Sequence, residues 1–188
     1  MKKVEVPQTS EAYNKILYWF FSFPYQKITL SELAKELRIS KITANRETNK
    51  LITGGFIVKE TIGKAWQLSC NTKHEYNRSK KIAYNLEMIY ESKILEEVYK
   101  EIKHPRTVIL FGSYRKGDDT EESDIDIAVE IIGDEELIIK EIIIFSQFGY
   151  RKNVKANLHI FSRNNINNNL FSNIANGIVL DGFLEVKK

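Results

Sequence analysis

Apolar side chains recur every three to four positions between Ser10 and Phe23, with Tyr13, Ile16, Leu17, Phe20 and Phe21 on one stripe. That period predicts an amphipathic helix ended by Pro24. A short extended piece, Lys27 to Leu30, follows. Ser31 is then expected to N-cap a helix over Glu32 to Leu37, and Ser40 a second over Lys41 to Thr53, since serine oxygens satisfy the first free amides of a helix. Only Arg38 and Ile39 separate them, and Leu33, Ala34, Leu37, Ile42, Leu51 and Ile52 form their apolar set, as a helix-turn-helix requires. Gly54-Gly55 stops the second helix, and Phe56 to Thr61 and Ala65 to Ser69 are expected to pair as a hairpin across Ile62-Gly63-Lys64.

From Lys73 to Lys103 there is no Gly or Pro, and Ile82, Leu86, Ile89, Ile94, Val98 and Ile102 fall near helical spacing. One long helix or two in series is expected, ending at His104-Pro105. Tyr76, Tyr84, Tyr90 and Tyr99 lie along it, either as core or as a face shared with a second copy in a homodimer. Val108 to Phe111 reads as a buried strand, and in the segment from Asp124 to Val129 the acids alternate with Ile125 and Ile127, so that segment reads as another. Glu135 to Phe148 is apolar around most of a helical circumference, which predicts a helix packed on a sheet. Val154 to Phe161 alternates as a strand, Arg163 to Asn176 turns helical towards Gly177, and Ile178 to Leu180 with Phe183 to Leu184 reads as a strand pair or one bent strand. The expected class is α+β in two domains: residues 1–72, a linking helical segment 73–104, and residues 105–188 as a small mixed sheet with helices on one side.

At 43% hydrophobic and 28% charged, the chain can bury a core in each domain. No apolar run approaches the ~20 residues of a membrane-spanning helix, so no membrane partner is expected. The start, Met1 to Glu5, shows no apolar signal-peptide region, and the single cysteine, Cys70, cannot form an internal disulfide. A cytoplasmic location is the expectation. Charge is unevenly spread: residues 1 to 80 hold 14 Lys and Arg against 7 Glu, and residues 81 to 188 hold 14 against 18 Asp and Glu. A basic first half suits a polyanionic partner and an acidic second half suits a cation.

The chemistry concentrates between Thr107 and Glu130. Asp124 and Asp126 share one face of a strand, where two carboxylates raise each other's pKa unless a positive charge intervenes. Mg²⁺ or Mn²⁺, a hard ion held by carboxylates and substrate phosphates, is the natural partner. Gly112 leaves room for a phosphate, Ser113 offers a hydroxyl donor, and a helix starting just after would aim amides at an anion. The full pattern, G-S-x10-D-x-D between two apolar strands, resembles the signature of the polymerase-beta-like nucleotidyltransferases, most closely their minimal (MNT) branch.

That resemblance implies transfer of a nucleoside monophosphate, AMP from ATP, to an acceptor hydroxyl, with Gly112, Ser113, Arg115 and Ser123 at the nucleotide and Asp124 and Asp126 at the metals. It also implies a third carboxylate on a neighbouring strand, and that position falls on Asn157. His159, on the same face, is a candidate ligand or base. Glu130 shares the face of the two acids but lies further along. Activity is therefore in question at the acceptor side.

In the first half, the order helix, short strand, helix-turn-helix and two-stranded wing resembles the winged-helix domain. Recognition helices enter the major groove of double-stranded DNA by their N-terminal part, which here would present Lys41, Thr43, Ala44, Asn45 and Arg46, with Lys64 on the wing. The alternatives are a nucleotide-sensing DNA-binding regulator with a degenerate catalytic domain, and an MNT-type antitoxin paired with a HEPN-type toxin.

Overall fold

A computed structural model describes residues 9–63 and 65–185. The chain forms two compact units, Met1–His74 and Glu75–Lys188. Lys64, the expected wing cation, lies outside the described residues.

The first unit opens with α1 (Glu11–Ser22), capped by Ser10, whose side chain accepts from the Tyr13 amide. After β1 (Ile28–Thr29), α2 spans Leu30–Glu36, and its cap is Thr29 rather than the expected Ser31. The reason is reciprocity: Thr29 Oγ1 accepts from the Glu32 amide and Glu32 returns a carboxylate to the Thr29 amide at 3.0 Å, satisfying two donors at once. Ser31 has Ala34 three residues on and could satisfy only one. Then α3 (Lys41–Thr53) follows, capped by Ser40, and β2 (Ile57–Ile62) and β3 (Ala65–Cys70) pair antiparallel. β1 adds to the other side of β3, giving the order β1-β3-β2. Ile16, Phe20, Phe21, Leu33, Leu51, Phe56 and Leu68 make its core. Ile42, expected inside, is 83% exposed, because α3 turns Ala44, Thr48 and Leu51 inward and position 42 falls off that stripe.

In the second unit a short 3₁₀ turn (Glu75–Arg78) leads into α4 (Lys80–Glu91) and α5 (Ile94–Glu101), broken at Lys93 with φ 57°. The strands are β4 (Thr107–Phe111), β5 (Ile125–Ile131), β6 (Ile138–Phe145), β7 (Val154–Ser162) and β8 (Ile178–Gly182), with α6 (Gly112–Lys116) after β4 and α7 (Asn168–Ala175) before β8. They form one sheet in the order β6-β7-β5-β4-β8, in which β5 and β7 are parallel and the other pairs antiparallel. The β6 segment was expected as a helix. Its five isoleucines are β-branched, a poor helical choice and a good strand one, and a register shift between Glu141 and Ile143 breaks the strict alternation that would mark a strand.

Helices cover both faces of this sheet, not one. Val108, Leu110, Ile125, Ile127, Val129, Ala156 and Leu158 pack with Ile89, Ile94 and Val98 of α4 and α5. The opposite face carries Ile109, Phe111, Ala128 and Phe161 against Ile174 of α7. Since α7 covers only part of that second face, polar side chains of β5 and β7 stay partly open on it. No helix among the described residues is long and apolar enough to cross a membrane.

Candidate active site

The site begins where β4 ends. Phe111 lies opposite Asp126 in the β4–β5 ladder, and the next residue, Gly112, turns the chain at φ 72° into α6. A Cβ on Gly112 would sit 2.7 Å from Asp126 Oδ2. Only glycine takes this backbone angle without strain and also leaves the carboxylate its space. The Gly-Ser corner and the Asp-x-Asp strand are thus in direct contact.

β7 supplies the other neighbours. Its Asn157 is in register with Asp126 across the parallel β5–β7 pair. Asn157 Nδ2 donates to Asp124 Oδ2 at 3.3 Å, and His159 Nε2 lies 3.2 Å from Asp126 Oδ1. An ionised carboxylate only accepts, so Nε2 carries the proton in that pair. His159 stands edge-on to the Phe111 ring at 4.9 Å, and its Nδ1 is enclosed with no hydrogen-bond partner. The Asp126 side chain is 28% exposed and that of His159 13%. Among the described residues no three His, Cys, Asp or Glu side chains converge as a metal-ligand set. Glu130, further along the same face of β5, is 1% exposed and takes Arg163 at 2.8 and 3.2 Å with Arg106 at 3.7 Å. It is fully engaged as a structural ion pair.

Of the residues expected at a nucleotide, Gly112 and Arg115 line one pocket of ≈ 140 Å³ together with Phe111, Lys116, Asn173 and Asn176. Ser113 sits half-buried in the first turn of α6. Ser123 is placed differently: its hydroxyl accepts from the Thr120 amide at 2.9 Å and so closes a turn.

A buried polar network that the sequence reading missed fixes the loop between the two halves of the site. Lys81, 1% exposed, donates to the Asp119 carbonyl at 2.5 Å and pairs with its carboxylate at 3.3 Å. Asn85 donates to Asp119 Oδ1 at 2.7 Å and to the Tyr114 carbonyl at 3.0 Å. Arg151, also buried, donates to the Tyr114 hydroxyl and the Ser123 carbonyl. Burial pushes the Asp119 carboxyl above its ordinary range, with Lys81 offsetting part of that shift. Burial likewise raises the Tyr114 phenol. Lys81, Asn85 and Ile89 are spaced four apart, so two polar residues interrupting an apolar helical stripe were the available signal.

In the first unit, Lys41 and Asn45 are exposed and line a ≈ 310 Å³ pocket with Thr29, Leu30, Ser31, Ala65 and Trp66. Thr43 is half-buried, its hydroxyl 2.9 Å from the capping Ser40. Ala44, expected on the outer surface, is fully buried, since it lies on the core stripe of α3. Arg46 is tied to the buried Glu47, with Nε 2.9 Å from Oε1. Asn49 donates to Asn45 Oδ1 at 2.6 Å.

Residues 91–167 match a family model described as the nucleotidyltransferase domain. The match takes in α5, the glycine-serine corner, both aspartates and all of β7, all within the second unit. No curated protein matches the chain.

Proposed function

We propose that the second unit transfers a nucleoside monophosphate, AMP from ATP, to an acceptor hydroxyl in a reaction that needs Mg²⁺ or Mn²⁺. The observation that carries this reading is the contact between Gly112 and Asp126, which seats the Gly-Ser corner directly against the carboxylate pair. The donor set fits a divalent cation: Asp124 and Asp126 offer two carboxylates on one open face, next to a backbone position that a Cβ would fill. When bound, the cation supplies screening of triphosphate charge and polarisation of the reacting phosphorus.

The chain's own residues do the rest. Gly112 admits the phosphates, the Ser113 hydroxyl donates to them, and Arg115 and Lys116 add positive charge in the adjoining pocket. The acceptor oxygen forms a bond to the α-phosphorus, the α–β phosphoanhydride bond breaks, and pyrophosphate leaves with the bonding pair. The acceptor proton passes to solvent water at the open face of the site. His159 is poorly placed to take it, because Nε2 already carries a proton towards Asp126 and Nδ1 is enclosed. Its part is to orient Asp126, as Asn157 orients Asp124.

Calorimetry with Mg·ATP tests the reading. The Asp124→Asn/Asp126→Asn double variant should lose metal-dependent nucleotide binding while it keeps its fold, and wild-type affinity in that variant would overturn the assignment. Transfer of labelled AMP is then to be measured against nucleic acid, small hydroxyl compounds and a co-encoded HEPN-type protein.

A second reading concerns the first unit, where a groove beside an exposed helix N-terminal face favours double-stranded DNA. Lys41 would meet phosphate and Asn45 an adenine edge. Arg46, held by Glu47, contributes charge more than base reading. A gel shift with the full chain at low salt, lost in Lys41→Ala/Asn45→Ala, supports this reading, and an unchanged shift in that variant removes it.

A further inference from the structure

We infer that Arg106 and Arg163 form an anion site, separate from the Gly112 corner, which takes a phosphate group, and that Glu185, from the segment after β8, is its tethered competitor. Charge leads there. Buried Glu130 receives Arg163 through Nε and Nη2 at 2.8 and 3.2 Å, with Arg106 Nη1 at 3.7 Å. Two guanidiniums over one buried carboxylate leave one positive charge over, and a half-enclosed positive charge draws an anion. Both guanidiniums turn a remaining terminal nitrogen to the same atom: Arg106 Nη2 pairs with Glu185 Oε2, and Arg163 Nη1 lies 3.8 Å from it. One oxyanion position is thus defined from two strands, with Arg106 just before β4 and Arg163 just after β7.

The arginines are fixed in place and their occupant is not. The Arg106 amide donates to the Glu130 carbonyl at 2.9 Å, and the Arg163 guanidinium lies 5.9 Å from the centre of the Phe171 ring of α7. Their side chains are 27% and 21% exposed, whereas that of Glu185 is 52% exposed. Phe183, which meets the Arg106 guanidinium at 5.8 Å, is also exposed. An ion pair this open to water contributes little, so the Glu185 carboxylate is readily exchanged.

Phosphate has the advantage in that exchange. It carries more charge and more acceptor oxygens than a carboxylate, and a guanidinium fork binds it through two bonds at once. The cavity beside the pair, closed by Gly133, Ser162 and Asn164, measures ≈ 180 Å³. That is several times the ~30 Å³ share of a water molecule and leaves room for a tetrahedral group. Glu130 stands four residues from Asp126, roughly 13 Å along β5, so a phosphate held here is not one bound at the Gly112 corner.

Calorimetry with inorganic phosphate on the full chain, in metal-free buffer, tests the inference. Glu185→Gln should bind phosphate about 5-fold more tightly than wild type, the gain from removing an exposed ion pair that competes for the same nitrogens. Glu91→Gln removes the same charge from the exposed end of α4 and should leave the affinity unchanged. Arg106→Lys keeps a cation beside Glu130 but loses the fork, and should weaken phosphate about 10-fold. Melting temperatures check that each variant is folded. Repeating the titration with glycerol 3-phosphate identifies the source: tighter binding of the monoester places the phosphate on a larger molecule, and tighter binding of inorganic phosphate makes the free ion the ligand. Equal affinity in wild type and Glu185→Gln, or in wild type and Arg106→Lys, would leave the four side chains as a structural cluster and overturn the inference. Failure of Glu185→Gln to bind phosphate would overturn it too, as would an equal gain in Glu91→Gln, which would reduce the effect to net charge.

Discussion

Asp126 and Glu130 lie on the same strand and the same face, four residues apart, yet the structure treats their charges in opposite ways. Glu130 is sealed at 1% exposure between Arg163 and Arg106, so its charge is neutralised by the protein itself. Asp126 keeps 28% of its side chain open and has His159 as its side-chain partner, while Asp124 accepts from the neutral Asn157. A carboxylate compensated by arginine belongs to the fold. One on an open face without a guanidinium clamp like that of Glu130 keeps its charge available for something that comes from solution.

The largest effect that would break this contrast is on stability. Glu130→Gln should lower the unfolding free energy by about 3 kcal/mol, the low end for breaking a buried pair because both guanidiniums retain some solvent. Denaturant unfolding measures it, and a loss no larger than that of Asp126→Asn would erase the distinction. Next in size is Gly112→Ala, which forces a Cβ towards Asp126 at φ 72° and should cost ~1 to 3 kcal/mol. It should also abolish nucleotide binding, whereas Gly63→Ala, with open space around it, should leave nucleotide binding unchanged. The smallest effect lies in the first unit. Lys50, and then Arg46, hold the Glu47 carboxyl below its ordinary value of 4.5. The folded pKa is depressed, so the stability from this pair is present above about 4.5 and is lost as pH falls through the folded value. Glu47→Gln should flatten the acid side of the stability profile, read from melting temperatures between neutral pH and pH 3.

Much of this could be read from the residues because each element repeated one simple period. The spacing G-S-x10-D-x-D located the corner and the carboxylates, and alternation in Val154 to Phe161 put Asn157 and His159 on one face, as they are. β6 was misread because its apolar run covers both a helical stripe and a bulged edge strand, and only its tertiary neighbour β7 selects between them. Thr29 was passed over for Ser31 since the capping box depends on a side chain three residues on. Arg151 and Asp119 gave no local sign, their partners being 28 to 38 positions away.

The ten residues between Ser113 and Asp124 form a ruler rather than a lid. Their midpoint is closely held: the Gly117 backbone runs so near the Asn77 carbonyl that an added Cβ would fall 1.9 Å from it, and Asp119 is gripped by Lys81 and Asn85. Arg151 pins the far end through the Ser123 carbonyl. A segment tied at Asp119 and at Ser123 and packed close at Gly117 has no slack to store or release, so adding one residue cannot be absorbed as a larger loop. It must displace either the corner or the carboxylates, and the length of the spacer is therefore as much a part of the site as the residues it joins.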